Sequence, residues 1–458
     1  MLVRRCYDDR LAQASYLIGC QETREAIMVD PGRDIAVSLD AARREGVRIT
    51  RITETHIHAD FLSGSRELAQ ATKAEILLSA EGGPDWQYRY PATALHDGDV
   101  INVGSVKITV CHTPGHTPEH LSFLVTDTPQ SPDPVALISG DFLFVGDVGR
   151  PDLLETAAGV AASKEPSARQ LFHSLHRLAA LPDYLQIWPG HGAGSACGKA
   201  LGALPSSTLG YERRTNRAFR VADEAEFVAT VLEGQPPAPP YFARMKRLNR
   251  DGPPILGSRP ELPELGPAKF AGAIEAGIVL DVRPRTAFAK GHIDRTLNIP
   301  LNRSFTKWAG WLIPDDRDVF LVAPDAATAA DARLALSSIG LDRVVAWFGP
   351  AVVGAVDAGA ARASRTGRMA EAPRMQQEGT LVIDVRDQHE WDDGHLEGAE
   401  HHPLGTLSAA VDSVDRERTV AVHCQGGGRS AIAASLLEQI GFRNVIDLTD
   451  GWRGVTRR

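Results

Sequence analysis

The chain has 458 residues, more than one hydrophobic core usually serves, so two to four domains are expected. Its 43% hydrophobic and 23% charged residues are ordinary for globular protein, and 49 basic against 58 acidic side chains give a net charge of −9. Neither half carries a long lysine or arginine run, which argues against nucleic acid, and no run of about 18 apolar residues offers a membrane span.

The amino-terminal stretch "MLVRRCYDDRLAQASYLIG" lacks the apolar core of a signal peptide. Five cysteines, Cys6, Cys20, Cys111, Cys197 and Cys424, are odd in number and scattered, which argues against a disulfide framework and for free thiols in a reducing cytoplasm.

Up to about residue 250, short apolar runs ("EAIMVD", "AEILLS", "VKITV", "VALISGD") alternate with helix-like stretches such as "AVSLDAARREG" at 36–46, the pattern of an α/β domain. The proline- and glycine-rich "DGPPILGSRPELPELGP" at 251–267 breaks both periodicities and marks a boundary. Beyond it lies an internal repeat. "GIVLDVR" at 277–283 answers "TLVIDVR" at 380–386, and "GHI" at 291 and "GHL" at 394 keep the same offset of 103 residues. "SSIGLDRVV" and "EQIGFRNVI" align at an offset of 101. Each repeat is expected to form a mostly parallel sheet covered by helices, with boundaries at 262–358 and 370–458. The weakly apolar segment 360–376 reads as the link between them.

In "THIHADFLSG", residues 55–64, the strand-like "VRITRITET" runs into His56, His58 and Asp60, so these side chains are expected on a loop at a strand's carboxyl end. His116 in "HTPGHTPEH", Asp141 in "LISGDFLF" and His191 in "IWPGHGAG" also sit beside glycines where apolar runs end. One such histidine alone would usually be structural. Together the groups point to a metal site.

In this order and spacing, these residues resemble the metallo-β-lactamase superfamily, which implies an αββα sandwich over residues 1–250. In two-metal members the residue at 61 is a ligand; here it is Phe61, which weakens the case for a dinuclear zinc hydrolase. "THIHADFLSG", "PGHTPEH" and "SGDFLFVGDVGRPDL" look like the persulfide dioxygenases of that superfamily. The resemblance implies one Fe(II) per chain held by His56, His116 and Asp141, the two-histidine, one-carboxylate set of oxygen-activating iron sites. It leaves His58, Asp60 and His191 to orient ligands and water. The implied reaction is oxidation of a low-molecular-weight persulfide, such as glutathione persulfide, by O2 to the thiol and sulfite. Arg150 in "GRPDL" is a candidate for a substrate carboxylate, with an internal salt bridge to Asp152 or Asp147 as the alternative. Cys197, six residues after His191, is either a small buried residue or a persulfide relay.

In "TVAVHCQGGGRSAIAASLLEQIGF" a strand is expected to end at His423 and a helix to begin near Ser430. The glycines between Cys424 and Arg429 let backbone N–H groups converge on an anion, a field that favours a thiolate or persulfide. With "DVR" and "GHLEGA" upstream and "DGW" at 450–452, the unit resembles rhodanese sulfurtransferases; cysteine phosphatases commonly have a loop one residue longer. The resemblance implies that Cys424 carries sulfane sulfur while Arg429 holds the loop or attracts thiosulfate or sulfite. In the first repeat Ala323 and Thr328 stand opposite Cys424 and Arg429, so that copy reads as a degenerate rhodanese-like domain.

The whole arrangement resembles the fused persulfide dioxygenase-sulfurtransferases of sulfide detoxification. A glyoxalase II-like zinc thioester hydrolase and a non-catalytic sulfur carrier are the rival readings. Homo-oligomerisation stays open, since no sequence feature identifies an interface.

Overall fold

The computed structural model describes residues 1–156, 162–199, 201–355 and 361–456. The expected end of the first repeat at 358 and the last two residues of the second lie outside them. Contacts divide the chain into two compact units, Met1–Arg259 with Ser337–Gly340, and Pro260–Leu336 with Leu341–Arg458.

The first unit holds two six-stranded sheets. One runs in the order β1 (Leu2–Asp8), β2 (Gln13–Gly19), β3 (Glu25–Val29), β4 (Arg48–Thr53), β5 (Glu75–Ser79), β6 (Thr93–Leu95). The other contains β7 (Val100–Val103), β8 (Val106–His112), β9 (Leu121–Asp127), β10 (Ala136–Gly140), β11 (Gln186–Pro189) and β12 (Ser207–Thr208), also side by side in chain order.

Strand alternation sorts the core into layers. Tyr16, Ile18, Ile27 and Val29 point to Ile108, Val110, Phe123 and Val125 between the sheets. Leu17, Ala26 and Met28 point the other way, onto Ala42 and Leu68 of helices Ile35–Glu45 and Ser65–Thr72. Leu137 and Ile187 meet Leu171, Leu175 and Phe227 of helices Lys164–Leu178 and Glu224–Leu232. With both faces covered, β2 is buried along its whole length. This is the expected αββα sandwich.

In the second unit, β13 (Gly277–Asp281) begins a four-stranded parallel sheet. Its order is β15 (Leu297–Asn298), β13, β16 (Asp318–Val322), β17 (Val344–Phe348); the short β14 (His292–Ile293) lies outside it, paired with β18 (Ala361–Arg362). The remaining strands are β19 (Arg365–Gly367), β20 (Leu381–Asp384), β21 (Glu400–His401), β22 (Val420–His423) and β23 (Val445–Leu448), in the order β19-β23-β22-β20-β21. Apart from β19, the two sheets share one strand order.

The repeated motifs explain themselves here. Arg283 grips Asp281 with Nε and Nη2 and donates to the Gly291 carbonyl at 3.0 Å, and Arg386 does the same with Asp384 and Gly394 at 2.8 Å. Phe288 stacks on His292 at 3.9 Å and Trp391 on His395 at 3.6 Å. The segment 360–376, expected as a bare link, instead supplies β18 and β19. Its polarity is that of edge strands, which need few buried side chains. Among the described residues no helix is long and apolar enough to cross a membrane.

Candidate metal centre and cysteine loop

The parallel strands β3, β4 and β5 deliver the turn after β4 to one edge of the sandwich, and β10 and the parallel β11 deliver Asp141 and Gly190 beside it. His56, His116 and Asp141 converge there with ligand atoms within 4.8 Å of one another, all buried. His116 Nε2 stands 3.6 Å and His56 Nε2 3.9 Å from Asp141 Oδ2. His56 Nε2 and both Asp141 carboxylate oxygens are buried without a hydrogen-bond partner. Such atoms are costly unless something satisfies them, and a cation suits this donor set. Gly190 leaves room for the carboxylate, since a Cβ there would lie 2.7 Å from Asp141 Oδ1.

Hydrogen bonds set the tautomers. Thr55 Oγ1 donates to Asp30 Oδ2 at 2.9 Å, so it accepts from His56 Nδ1–H, also at 2.9 Å, leaving Nε2 as the lone pair. His116 Nδ1–H donates to the Arg150 carbonyl at 3.1 Å, and His191 Nδ1–H to the Ala12 carbonyl at 3.1 Å. Burial, with the neighbouring cations, pushes the pKa of both His56 and His116 well below the usual imidazole value, which keeps them neutral. Burial raises Asp141 to about 6 despite His191 beside it.

The other expected residues fall into two groups. His58 turns away from the triad, Nε2 lying 3.0 Å from Asp30 and 3.1 Å from Glu54. Burial would lower its pKa, but the two carboxylates hold it well above the usual range, as an imidazolium. Asp60, His191 and Cys197 form a second cluster with donor atoms within 4.8 Å of one another. His191 Nε2 sits 3.2 Å from Asp60 and 3.4 Å from Asp141, with no hydrogen-bond partner of its own. Burial, then Asp60 and Asp141, push the Cys197 thiol well up, so it stays protonated.

Phe61 is fully buried, its ring 4.4 Å from that of His58. Asn249, from helix Phe242–Asp251, clamps this turn by donating to the carbonyls of His58 at 2.8 Å and Phe61 at 2.7 Å.

Arg150 takes the internal alternative, the salt bridge to Asp152. It is 1% exposed, its Nε and Nη2 grip Asp152 at 2.8 and 2.6 Å, and Nη2 also donates to the Pro236 carbonyl. With its fork committed internally, it has no face for a substrate carboxylate. Sequence reasoning also passed over His120, although it stands inside the quoted "HTPEH". Its Nε2 accepts the Asp141 backbone N–H at 3.2 Å, its ring stacks 5.1 Å from His56, and burial lowers its pKa to about 3. Lys246, from the same helix as Asn249, was likewise unforeseen. It is buried with no hydrogen-bond partner, 4.7 Å from the Trp86 ring, its pKa lowered to about 8 by burial against the opposing pull of Glu119.

In the second unit, β22 ends at His423 and helix Gly428–Gln439 begins four residues after Cys424. Cys424 is 1% exposed, and its Sγ accepts the Gly427 N–H at 3.2 Å. The Trp452 N–H holds the Cys424 carbonyl at 2.8 Å. Arg429 is bidentate to Glu390 at 2.5 and 2.7 Å, so it braces the loop through an ion pair.

Residues 8–191 match the metallo-beta-lactamase superfamily, and residues 369–458 match the rhodanese-like domain. A solved metallo-beta-lactamase from Staphylococcus aureus is 43% identical, with a TM-score of 0.71, covering 76% of this chain and 99% of its own. The chain belongs to the metallo-beta-lactamase superfamily and carries a rhodanese-like domain at its C-terminal end. Among curated relatives, the mitochondrial persulfide dioxygenase ETHE1 of Bos taurus is 27% identical over 244 residues, 52% of this chain and 84% of that one. A hydroxyacylglutathione hydrolase-like protein of Homo sapiens is 34% identical over 179 residues, 38% of this chain and 54% of that one.

Proposed function

We propose that the N-terminal domain oxidises a low-molecular-weight persulfide to sulfite at a single iron, and that Cys424 carries sulfane sulfur to or from that chemistry. The observation that carries this reading is Phe61. It stands where a second-site ligand would be, while His58 is engaged by Asp30 and Glu54, which favours a single ion on His56, His116 and Asp141. A ferrous ion on these three residues would supply a Lewis-acidic, redox-active centre with open positions.

The chain's own residues do the rest. Thr55, the Arg150 carbonyl and His120 fix the rings and the Asp141 backbone, and Asn249 holds the turn that carries His58 and Phe61. The overall change, RSSH + O2 + H2O to RSH, sulfite and two protons, needs no further redox partner. Sulfite then takes the outer sulfur from a Cys424 persulfide, giving thiosulfate and the free thiolate; the same step reversed loads Cys424 from thiosulfate.

The test is oxygen uptake by anaerobically iron-loaded protein given glutathione persulfide, with sulfite and thiosulfate assayed in wild type and Cys424→Ser. Uptake in both, with thiosulfate exchange lost only in the variant, supports the reading; no uptake at full iron occupancy overturns it.

A second reading rests on the Asp60, His191 and Cys197 cluster, which offers three donors to a second ion. It favours a two-metal thioester hydrolase, the rival reading of the sequence, and the human relative is named a hydroxyacylglutathione hydrolase-like protein. Two zinc ions per chain together with thioesterase turnover would select it.

A further inference from the structure

A cleft of about 1120 Å³ in the C-terminal unit opens over Cys424 and is walled on its far side by residues of that unit's first half. Thiosulfate or sulfite, a few heavy atoms each, would leave most of it empty. Pockets of roughly 300–1,000 Å³ accommodate molecules of drug or short-peptide size.

The charges on the walls are unequally committed. Arg429 is held by Glu390 and approached by Asp387, so it is fully committed and the three together keep one negative charge. Arg285, Lys307 and Arg453 remain, against Asp331 on the walls and the buried Asp447, whose carboxyl Arg285 also faces. Two of the three cations come from the half that has Ala323 in place of a cysteine. Arg285 reaches the sulfur loop itself: its guanidinium fills the space where a side chain on Gly427 would be, and its Nη1 is buried with no hydrogen-bond partner. The Lys307 ammonium lies 5.0 Å from the Trp308 ring on the same wall.

We propose that the first half is the receptor for the body of the sulfur donor, with Arg285 and Lys307 binding the carboxylates of a peptide-sized thiol persulfide and presenting its outer sulfur to Cys424. A guanidinium fork matches a carboxylate bidentately, and an ammonium beside it takes a second as a point charge. In the transfer, the Cys424 thiolate attacks the outer sulfur of R–S–SH. The Sγ–S bond forms, the donor's S–S bond breaks, and its electron pair leaves on R–S⁻. The products are Cys424–S–SH and the donor thiolate, with no net oxidation. The inference rests on Cys424 being the sulfur-accepting residue.

The experiment uses the full chain without oxygen and follows persulfide on Cys424 by mass spectrometry. Glutathione persulfide, its diethyl ester and thiosulfate serve as donors. Arg285→Gln is expected to raise KM for glutathione persulfide about tenfold with kcat held, and the exposed Lys307→Gln about threefold. Thiosulfate should stay within about twofold on Lys307→Gln, and the diester on wild type should lose at least as much as the free acid loses on Arg285→Gln. Equal losses with thiosulfate on Lys307→Gln, unchanged KM in both variants, or a diester as good as the acid would overturn the proposal. Lys307→Gln decides the matter alone if Arg285→Gln fails to fold. Absence of Cys424 persulfide from every donor in wild type would instead refute the sulfur-carrying role itself.

Discussion

Replacing Gly427 by alanine should disable the cysteine loop while leaving the rest of the domain folded. Gly427 has φ of +83° and caps helix Gly428–Gln439, and its N–H meets Cys424 Sγ at 3.2 Å. A side chain in the left-handed region costs about 1–2 kcal/mol. The added Cβ would also overlap the Thr449 carbonyl, which is backbone and cannot swing aside. The loop must therefore move outward, bringing the stability loss to about 2–4 kcal/mol. The same movement breaks the N–H···S contact, and a hydrogen bond to a charged sulfur is worth about 1.5–3 kcal/mol, or roughly 10- to 100-fold in rate. Urea denaturation and thiosulfate-to-cyanide sulfur transfer measure the two effects. A variant within about 0.5 kcal/mol of wild type that keeps more than half its activity would refute the reasoning.

Arg150→Ala leaves Asp152 buried without its partner and should cost about 3–5 kcal/mol, with KM for any anionic substrate unchanged in the folded fraction; a KM effect at preserved stability would reverse that assignment. His120→Ala removes the acceptor for the Asp141 N–H and should weaken metal binding about 10- to 100-fold in a chelator competition, whereas equal affinity would show that the triad holds itself. Burial raises the Asp447 carboxyl to about 6, countered in part by Ser430 and Arg285. The fold thus favours the protonated form, and this contribution to stability is full below about pH 4 and lost as pH rises through about 6. Asp447→Asn should therefore exceed wild type by about 2–3 kcal/mol at pH 8, the gap closing near pH 4; a gap independent of pH would contradict it.

The sequence was legible where chemistry is local. "THIHADF", "PGHTPEH" and "HCQGGGR" each place several functional groups on one turn, and the repeated Asp-Val-Arg and Gly-His pairs are two ends of a single hydrogen-bonded bracket. Residues whose role depends on distant partners were not legible. Asn249 clamps carbonyls nearly two hundred positions earlier, and Asp30 and Glu54 hold His58 from two different strand ends. Arg150 was left with two readings because a fork exposed on a loop and one folded back on a residue two positions away have the same local sequence. The cleft over Cys424 was invisible because half of its wall belongs to the repeat that reads as chemically silent.

The pairing of β19 with β23 has a consequence for synthesis. Arg365 lies opposite Ile446, so the edge strand of the last sheet emerges some 80 residues before its partner exists. At about 5–20 residues per second the ribosome leaves it alone for roughly 4–16 s. A longer apolar strand waiting that long would recruit whatever edge came near. This one is three residues long and is spaced with Arg362, Arg365 and Arg368, so the charges that made the segment look like a linker also guard it until β23 arrives.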